Sequence, residues 1–187
     1  MKKSALREWI ESIVIAFVLA MFIRTFIVQA FKIPSGSMRP TLIEGDRILV
    51  NKFIYGAKIP FTDLRLPGLR KPQRGDVVVF IYPEDTSRDF IKRLIATEKE
   101  TVQIKDGKLY IDGQTLDNPK FARYYYNRAP YARKGINVVV PRDNFYVLGD
   151  NSASSQDSRY WGFVPNKYLL GKAFLIYWPL PRIRIVR

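Results

Sequence analysis

The chain has 187 residues, a formal charge of +14 and a hydrophobic content of 47%. It contains no cysteine and no histidine, which excludes disulfides, thiolate nucleophiles, zinc–thiolate sites, a Ser-His-Asp triad and histidine-ligated metals. A hydrolase built from this chain must take its general base from Asp, Glu, Lys, Tyr or a terminal amine. The positive charge favours anionic surfaces, either lipid head groups or nucleic acid.

The first predicted element is an apolar N-terminal helix. Lys2, Lys3 and Arg7 precede the segment Ile10–Phe31, which contains eleven consecutive apolar residues. As a helix, these 22 residues would be about 33 Å long, enough to cross a hydrocarbon core of about 30 Å. The pattern therefore predicts a single membrane-spanning anchor.

The charge pattern also predicts an orientation for this anchor. We expect residues 1–9 to be cytoplasmic because they carry the positive charges, residues 10–31 to span the membrane, and residues 32–187 to face outward. A cleaved signal peptide with Val28-Gln29-Ala30 as its cleavage site is one alternative. An interfacial amphipathic helix is another.

The rest of the chain predicts a mainly β domain, an antiparallel barrel or curled sandwich, because no long segment after residue 32 has helical periodicity. Asp106-Gly107 lies between two strand-like runs and is a strong hairpin signal. A small excursion is expected around residues 105–140, with Gln114–Gly135 at the surface. A turn that leads into a strand is predicted over 44–50, and further strands at 77–82, 89–96, 101–105, 108–112, 137–140, 145–148 and 172–177.

The segment directly after the apolar helix is a loop bracketed by Pro34 and Pro40. Prolines fix φ and remove donors, so this loop has a defined shape. Ser35 and Ser37 flank Gly36, and such a loop can present a hydroxyl and backbone N–H groups at one point, as acyl transfer requires. The alternative is an ordinary turn that leaves a helix.

Lys92 is the candidate base for Ser37. On a strand its side chain lies on the same face as Phe90 and Leu94, and an apolar face lowers the pKa of a lysine. A decrease from about 10.4 to about 8 would make roughly a tenth of the amine neutral at pH 7. Arg93 is an equal candidate for facing water, and periodicity does not decide between the two.

A polar loop near the end of the chain, Gly149–Gly162, is the third cluster. One interpretation is a surface loop of Asx and Ser turns. The other is a loop that braces an active site, with a hydroxyl that orients the lysine and with Asp157 paired to Arg159.

With these motifs in this order, the chain resembles bacterial type I signal peptidases, which are membrane-anchored serine endopeptidases that remove signal peptides from exported preproteins. The resemblance covers nearly the whole chain. After the anchor it is carried by five segments: Ser35–Leu42, Gly45-Asp46, Arg74–Phe80, Ile91–Arg93 and Gly149–Gly162.

The resemblance implies a β catalytic domain of the signal peptidase type that cuts at Ala-x-Ala-like sites. It implies a single-pass protein of the bacterial cytoplasmic membrane, with preprotein signal peptides and membrane lipid as partners. No cofactor, metal or nucleic acid is expected.

Residue by residue, the resemblance makes Ser37 the nucleophile and Lys92 the general base. The Ser35 hydroxyl and the Ser37 N–H would form the oxyanion hole, and Ser155 would hydrogen-bond the lysine amine. Asp157 and Arg159 would support the site. The positions implied to line shallow pockets for small substrate residues are Ile33, Pro34, Met38, Leu42, Phe90 and Ile91.

The sequence departs from the family pattern at two places. Ala96-Thr97-Glu98-Lys99-Glu100 stands where the family has a Gly-x-Pro-Gly-Asp turn, and Ser152, Ala153 and Ser154 replace Arg-Asp-Asn. An inactive family member and a basic, membrane-tethered β binding module are therefore the alternatives. A self-cleaving Ser-Lys repressor would need an N-terminal DNA-binding domain in place of the apolar helix.

Overall fold

The structure is a computed structural model that describes residues 5–59, 62 and 64–187. Within these residues it contains one long N-terminal helix and two antiparallel β-sheets. The predicted cytoplasmic segment 1–9 lies partly outside the described residues, because Lys2 and Lys3 fall before them.

The N-terminal helix, α1, runs over Ala5–Phe22 and continues as a π-helical turn over Ile23–Ile27. Its segment Leu6–Ile27 has a mean hydropathy of 2.2 and is long and apolar enough to cross a membrane. The prediction that the helix extends to Phe31 is wrong, because Val28–Lys32 forms a strand instead. The neighbouring strand offers this segment a complete ladder of backbone hydrogen-bond partners.

The described residues form twelve strands, numbered in chain order. They are β1 (Val28–Lys32), β2 (Arg47–Asn51), β3 (Val77–Ile81), β4 (Asp89–Ala96), β5 (Thr101–Lys105), β6 (Lys108–Ile111), β7 (Gln114–Thr115), β8 (Val138–Val139), β9 (Asn144–Leu148), β10 (Val164–Pro165), β11 (Leu169–Trp178) and β12 (Arg184–Ile185).

The larger sheet has the order β1-β2-β11-β3-β4-β9-β10, with β12 beside β11, and it curls into a half-barrel. The smaller sheet has the order β7-β6-β5-β8. All pairings between these strands are antiparallel. The predicted mainly β, antiparallel fold is confirmed.

The predicted hairpin at Asp106-Gly107 joins β5 to β6. Both turn residues have positive φ, 51° and 77°, as the two-residue turns that match strand twist require. After β7 the chain is irregular as far as β8, apart from short 3₁₀ turns at Pro119–Phe121 and Pro130–Ala132. The second α-helix, α2 (Ser158–Trp161), is a single turn that the sequence did not predict.

Strand β4 lies between hydrophobic clusters of the half-barrel and therefore positions the site. Leu94 belongs to one cluster, and Ile91 packs against another that contains Ile33, Met38 and Leu42. Since successive side chains of a strand point to opposite faces, β4 presents neighbouring residues to different surroundings.

Candidate active site

Ser37 lies in a 3₁₀ turn, Gly36–Met38, that follows the extended residue Ser35. Met38 is fully buried, and its carbonyl accepts a hydrogen bond from Leu42 N at 2.9 Å. The turn is thus held in the core by its last residue, and the Ser37 side chain is 8% exposed.

Lys92 and Ser37 meet although they are 55 residues apart in the chain. Lys92 Nζ donates to Ser37 Oγ at 2.7 Å, and Lys92 is 4% exposed. Its Nζ lies 5.4 Å from the ring centre of Phe90, on the predicted shared face. The structure brings the two residues into contact, and their catalytic roles stay predictions.

Burial lowers the pKa of the Lys92 amine to about 8. The charges of Asp157 and Asp150 act in the opposite direction, and the charge of Arg159 adds to the decrease. Desolvation dominates because no carboxylate is hydrogen-bonded to the amine among the described residues. A buried amine of this kind is a better proton acceptor at neutral pH than a solvated lysine.

Arg93 does not face water, contrary to one of the two arrangements that periodicity left open. It is 1% exposed, and Asp150 accepts from its Nε at 2.8 Å and from its Nη2 at 2.6 Å. Thr41 and Arg123 also contact the Asp150 carboxylate, each at 2.5 Å. Both basic residues of β4 are therefore buried, one with a carboxylate partner and one without.

The predicted pairing of Asp157 with Arg159 is confirmed. Arg159 Nε and Nη2 contact the two carboxylate oxygens of Asp157 at 2.8 and 2.9 Å, and both side chains are buried. Asp157 also accepts from Gly149 N at 3.0 Å and from Arg159 N at 3.2 Å at the start of α2. This ion pair fixes both ends of the loop that faces Ser37.

Ser152, at the first position where the loop departs from the family pattern, takes part in the same network. Its Oγ accepts from Arg159 Nη1 at 2.7 Å and from Tyr126 N at 3.0 Å. The short Ser152 hydroxyl accepts a hydrogen bond from the buried Arg159 guanidinium, and it adds no second charge beside that group.

Gly149 and Asn151 join the loop to the serine turn, and the sequence analysis did not single them out. Asn151 N donates to Ser37 O at 2.9 Å, and Asn151 Nδ2 donates to Gly36 O at 3.1 Å. A Cβ on Gly149 would lie 2.6 Å from Ser37 O and 2.1 Å from Ser155 Oγ. The glycine inside the polar loop was the available signal for this close approach.

Ser155 is buried, but its Oγ has no hydrogen-bond partner in the described part of the chain. The hydrogen bond expected between Ser155 and the Lys92 amine is therefore not made in this structure. The hydroxyl instead occupies the space that a Cβ on Gly149 would fill, near Ser37 O.

A cavity of about 470 Å³ opens over Ser37 and Lys92. Four residues predicted to contact substrate or oxyanion line it, namely Pro34, Ser35, Phe90 and Ile91. Arg88, Asp89, Ser154 and Gln156, none of which was predicted to contact substrate, complete its walls together with Gly36.

Three predicted substrate-contacting residues, Ile33, Met38 and Leu42, lie elsewhere. They are 2%, 0% and 0% exposed, in the hydrophobic cluster that packs against Ile91. They are not among the lining residues of the cavity, so their contact with substrate stays a prediction.

In the turn at Thr97–Glu100, side-chain hydrogen bonds hold the backbone where the family pattern has glycines. Lys99 adopts a φ of 69°, which favours glycine. Glu100 accepts from Thr97 N at 2.6 Å and pairs with Arg74 at 2.5 Å.

No group of three or more Asp or Glu residues able to hold a metal occurs in residues 5–59, 62 and 64–187.

The chain matches known proteins over most of its length. The family model for "Signal peptidase, peptidase S26" matches residues 6–178. The chain is 40% identical to a probable signal peptidase I-2 from Synechocystis sp., covering 95% of this chain and 77% of that protein. It is 34% identical to a signal peptidase I from Pseudomonas aeruginosa, covering 97% of this chain and 76% of that one.

A crystal structure of a signal peptidase I from Enterococcus faecalis V583 is also similar. It is 32% identical, with a TM-score of 0.47, and the match covers 55% of this chain and 97% of that chain.

Proposed function

The chain belongs to the signal peptidase family, peptidase S26, and on that premise we propose that it removes N-terminal signal peptides from exported preproteins with Ser37 as nucleophile and Lys92 as general base. The observation that carries the proposal is the 2.7 Å hydrogen bond between the buried Lys92 Nζ and Ser37 Oγ. A neutral lysine beside a serine hydroxyl is the Ser-Lys variant of triad chemistry.

In the first step the neutral Lys92 amine takes the proton of Ser37 Oγ while the oxygen attacks the scissile carbonyl carbon. The resulting ammonium gives this proton to the departing amine of the mature protein, which leaves an ester on Ser37 and a neutral lysine. Lys92 then takes a proton from water, which attacks the ester. The proton returns to Ser37 as the cleaved signal peptide is released.

The negative oxygen of the tetrahedral intermediates needs donors. The N–H groups of the first turn of a helix have no intrahelical partner, so Ser37 N–H is available at the start of its turn. The Ser35 hydroxyl makes no capping hydrogen bond to this turn, and Ser35 lines the cavity. We assign these two groups to the oxyanion hole.

The substrate would lie in the cavity as an extended strand, with alternate side chains pointing into the wall. Phe90 and Ile91 line this wall, and Ile91 packs on the cluster of Ile33, Met38 and Leu42. Tightly packed walls admit small residues, which supports cleavage after Ala-x-Ala-like sequences.

We further propose that Leu6–Ile27 anchors the protein in the bacterial cytoplasmic membrane, with the N-terminus in the cytoplasm and the β domain outside. Val28, the first residue after the helix, lies in one cross-strand row with Asn51, Lys172, Val78 and Lys92. With strands about 4.8 Å apart, Lys92 is about 19 Å from Val28 across the sheet. The register supports a site near the outer membrane surface, where the ends of signal peptides emerge.

The test is cleavage of a preprotein with an Ala-x-Ala site by the full chain in detergent. We expect cleavage after the second alanine, abolished in Ser37→Ala and in Lys92→Ala. Ser87→Ala and Lys108→Ala, at exposed positions that do not line the cavity, are the matched controls and should cut normally. A folded but inactive wild type would indicate an inactive family member, and cleavage by Ser37→Ala would show that the nucleophile is wrong.

A further inference from the structure

An exposed aromatic and cationic surface lies beside the site, and the proposed mechanism does not use it. We call it the tyrosine ledge: Tyr124, Tyr126 and Arg128. The two tyrosines are 62% and 40% exposed, and their ring centres are 5.0 Å apart in an edge-to-face contact. Arg128 Cζ lies 5.8 Å from the ring centre of Tyr126. Tyr125 between them is buried and holds the segment in the core of the small sheet.

The backbone of the ledge is joined to the active-site loop. Tyr126 N donates to Ser152 Oγ at 3.0 Å, and Tyr126 O accepts from Arg159 Nη1 at 3.1 Å. Ser152 belongs to the same 3₁₀ turn as Ser154, which lines the cavity over Ser37. The backbone of the ledge is therefore hydrogen-bonded to the loop that forms one wall of the cavity.

The ledge carries uncompensated positive charge. The excursion Gln114–Gly135 contains five basic residues and one acidic residue. Arg123 forms an ion pair with the buried Asp150. Arg128 has no carboxylate partner among the described residues, and its guanidinium lies over the ring of Tyr126. The Arg128 guanidinium keeps its N–H donors free for a carboxylate, which it can bind with two hydrogen bonds.

Building on the proposed function, we propose that the tyrosine ledge binds carboxylate side chains in the segment of the preprotein that follows the scissile bond. Residues before that bond belong to the apolar signal segment and its small-residue site, so only the downstream segment can bring acidic side chains to the ledge. The contacts that join Ser37 to Asn151 and Ser152 to Tyr126 place the backbone of the ledge within about 15 Å of Ser37. An extended peptide spans this distance with roughly four to five residues. We therefore expect the effect at about the third to fifth residues of the mature protein.

A lipid surface would also suit tyrosines and arginines, but the position of the ledge favours the peptide. The apolar helix joins the larger sheet through β1, at one edge. In the strand order β9 lies on the opposite side of β4 from β1, and the ledge is hydrogen-bonded to the loop that follows β9 and walls the cavity.

The experiment compares two peptides with the same Ala-x-Ala site, one with Asp and one with Asn at the third to fifth mature positions. Their binding is measured by fluorescence anisotropy on full-length Ser37→Ala in detergent, so that turnover is not required. Their kcat/KM values are then measured on the otherwise wild-type enzyme. Arg128→Glu is the test variant, and Lys167→Glu makes the same charge change at an exposed position away from the cavity.

At low salt we expect the acidic peptide to bind and react about threefold better than the neutral one, as a pairing of exposed charges allows. Arg128→Glu should reverse this ratio, Lys167→Glu should leave it unchanged, and salt should remove it. Equal affinities of the two peptides, or no peptide binding at all, would overturn the proposal. So would an Arg128→Glu effect confined to anionic vesicles or oligonucleotides. If Ser37→Ala prefers the acidic peptide but the wild type cleaves neither peptide, the ledge binds carboxylates and the proposed peptidase function is wrong.

Discussion

Lys92 and Arg93 are adjacent on β4 and almost equally buried, at 4% and 1% exposure, but the two faces of the strand give them opposite surroundings. Arg93 is held by both oxygens of Asp150. Lys92 contacts a serine hydroxyl and the face of Phe90. Burial disfavours the charged form of both residues, and only Arg93 has an ion-pair partner to offset that penalty.

This difference accounts for the lowered pKa of the Lys92 amine. Burial alone would leave two destabilised charges. The bidentate carboxylate of Asp150 offsets the cost of burial for Arg93, whereas Lys92 has no such partner and its pKa falls to about 8. Variants that remove the Lys92 amine or the Asp150 carboxylate test the two sides of this difference.

The largest expected effect is on activity. Lys92→Met keeps much of the side-chain volume but removes the amine, so we expect kcat/KM for an Ala-x-Ala preprotein to fall at least about 10³-fold, the upper range for loss of a general base. The same variant should fold at least as stably as the wild type at pH 7, since it no longer buries an amine. Retained activity would mean that the proton on Ser37 leaves by another route.

On the Arg93 face, the largest effect should be on stability. Asp150→Asn removes the carboxylate and leaves the guanidinium of Arg93 buried and unpaired, which we expect to lower the free energy of unfolding by about 3–5 kcal/mol in urea titrations. Glu44→Gln breaks the exposed pair with Arg39, whose N–O distance is 2.7 Å, and should change stability by less than about 0.5 kcal/mol. Similar losses in both variants would show that Asp150 does not offset the burial of Arg93.

The lowered pKa of Lys92 also predicts a pH dependence of stability. Between its folded value of about 8 and its ordinary value of 10.5, the unfolded chain binds a proton that the folded chain has released. Unfolding then takes up a proton, so stability rises with pH across this window. Relative to Lys92→Met, which lacks this group, the wild type should gain about 3 kcal/mol between pH 7.5 and 10.5. A constant difference between the two proteins would show an unshifted lysine.

A smaller effect is expected where the loop meets the serine turn. Gly149→Ala places a methyl group against Ser37 O and Ser155 Oγ, so it should lower the unfolding free energy by about 1–3 kcal/mol through overpacking and reduce kcat more than it raises KM. Gly135→Ala is the control, because no atom lies within 4 Å of its added Cβ, although its φ is +84°. Its loss should be confined to stability, so equal activity losses in both variants would remove Gly149 from the positioning of Ser37.

Local sequence signals predicted those elements that are specified by their own residues. The strand Asp89–Ala96 follows from its run of β-branched and apolar residues, and the hairpin at Asp106-Gly107 from its turn chemistry. Strand β1 was missed because an apolar segment directly after an apolar helix has the same composition as its continuation. Only pairing with β2, which is not visible in the sequence, separates the two.

The same difference between local signals and long-range contacts applies to the site. The serine loop and the candidate lysine could be named from chemistry, but their contact spans 55 residues and needs the half-barrel. Periodicity places Lys92 and Arg93 on opposite faces without saying which face holds a carboxylate, because Asp150 arrives from a distant loop. The roles of Asn151 and Ser152 depend on the same tertiary contacts.

The proposed mechanism needs a neutral Lys92 amine, and NMR titration of the Lys92 Cε resonance measures the pKa of that amine. The resonance is assigned in ¹³C-lysine-labelled wild type by its absence from Lys92→Met. We expect a midpoint near pH 8, matched by the rise of kcat/KM with pH. A midpoint near the ordinary lysine value of 10.5 would contradict it and leave Ser37 without a base.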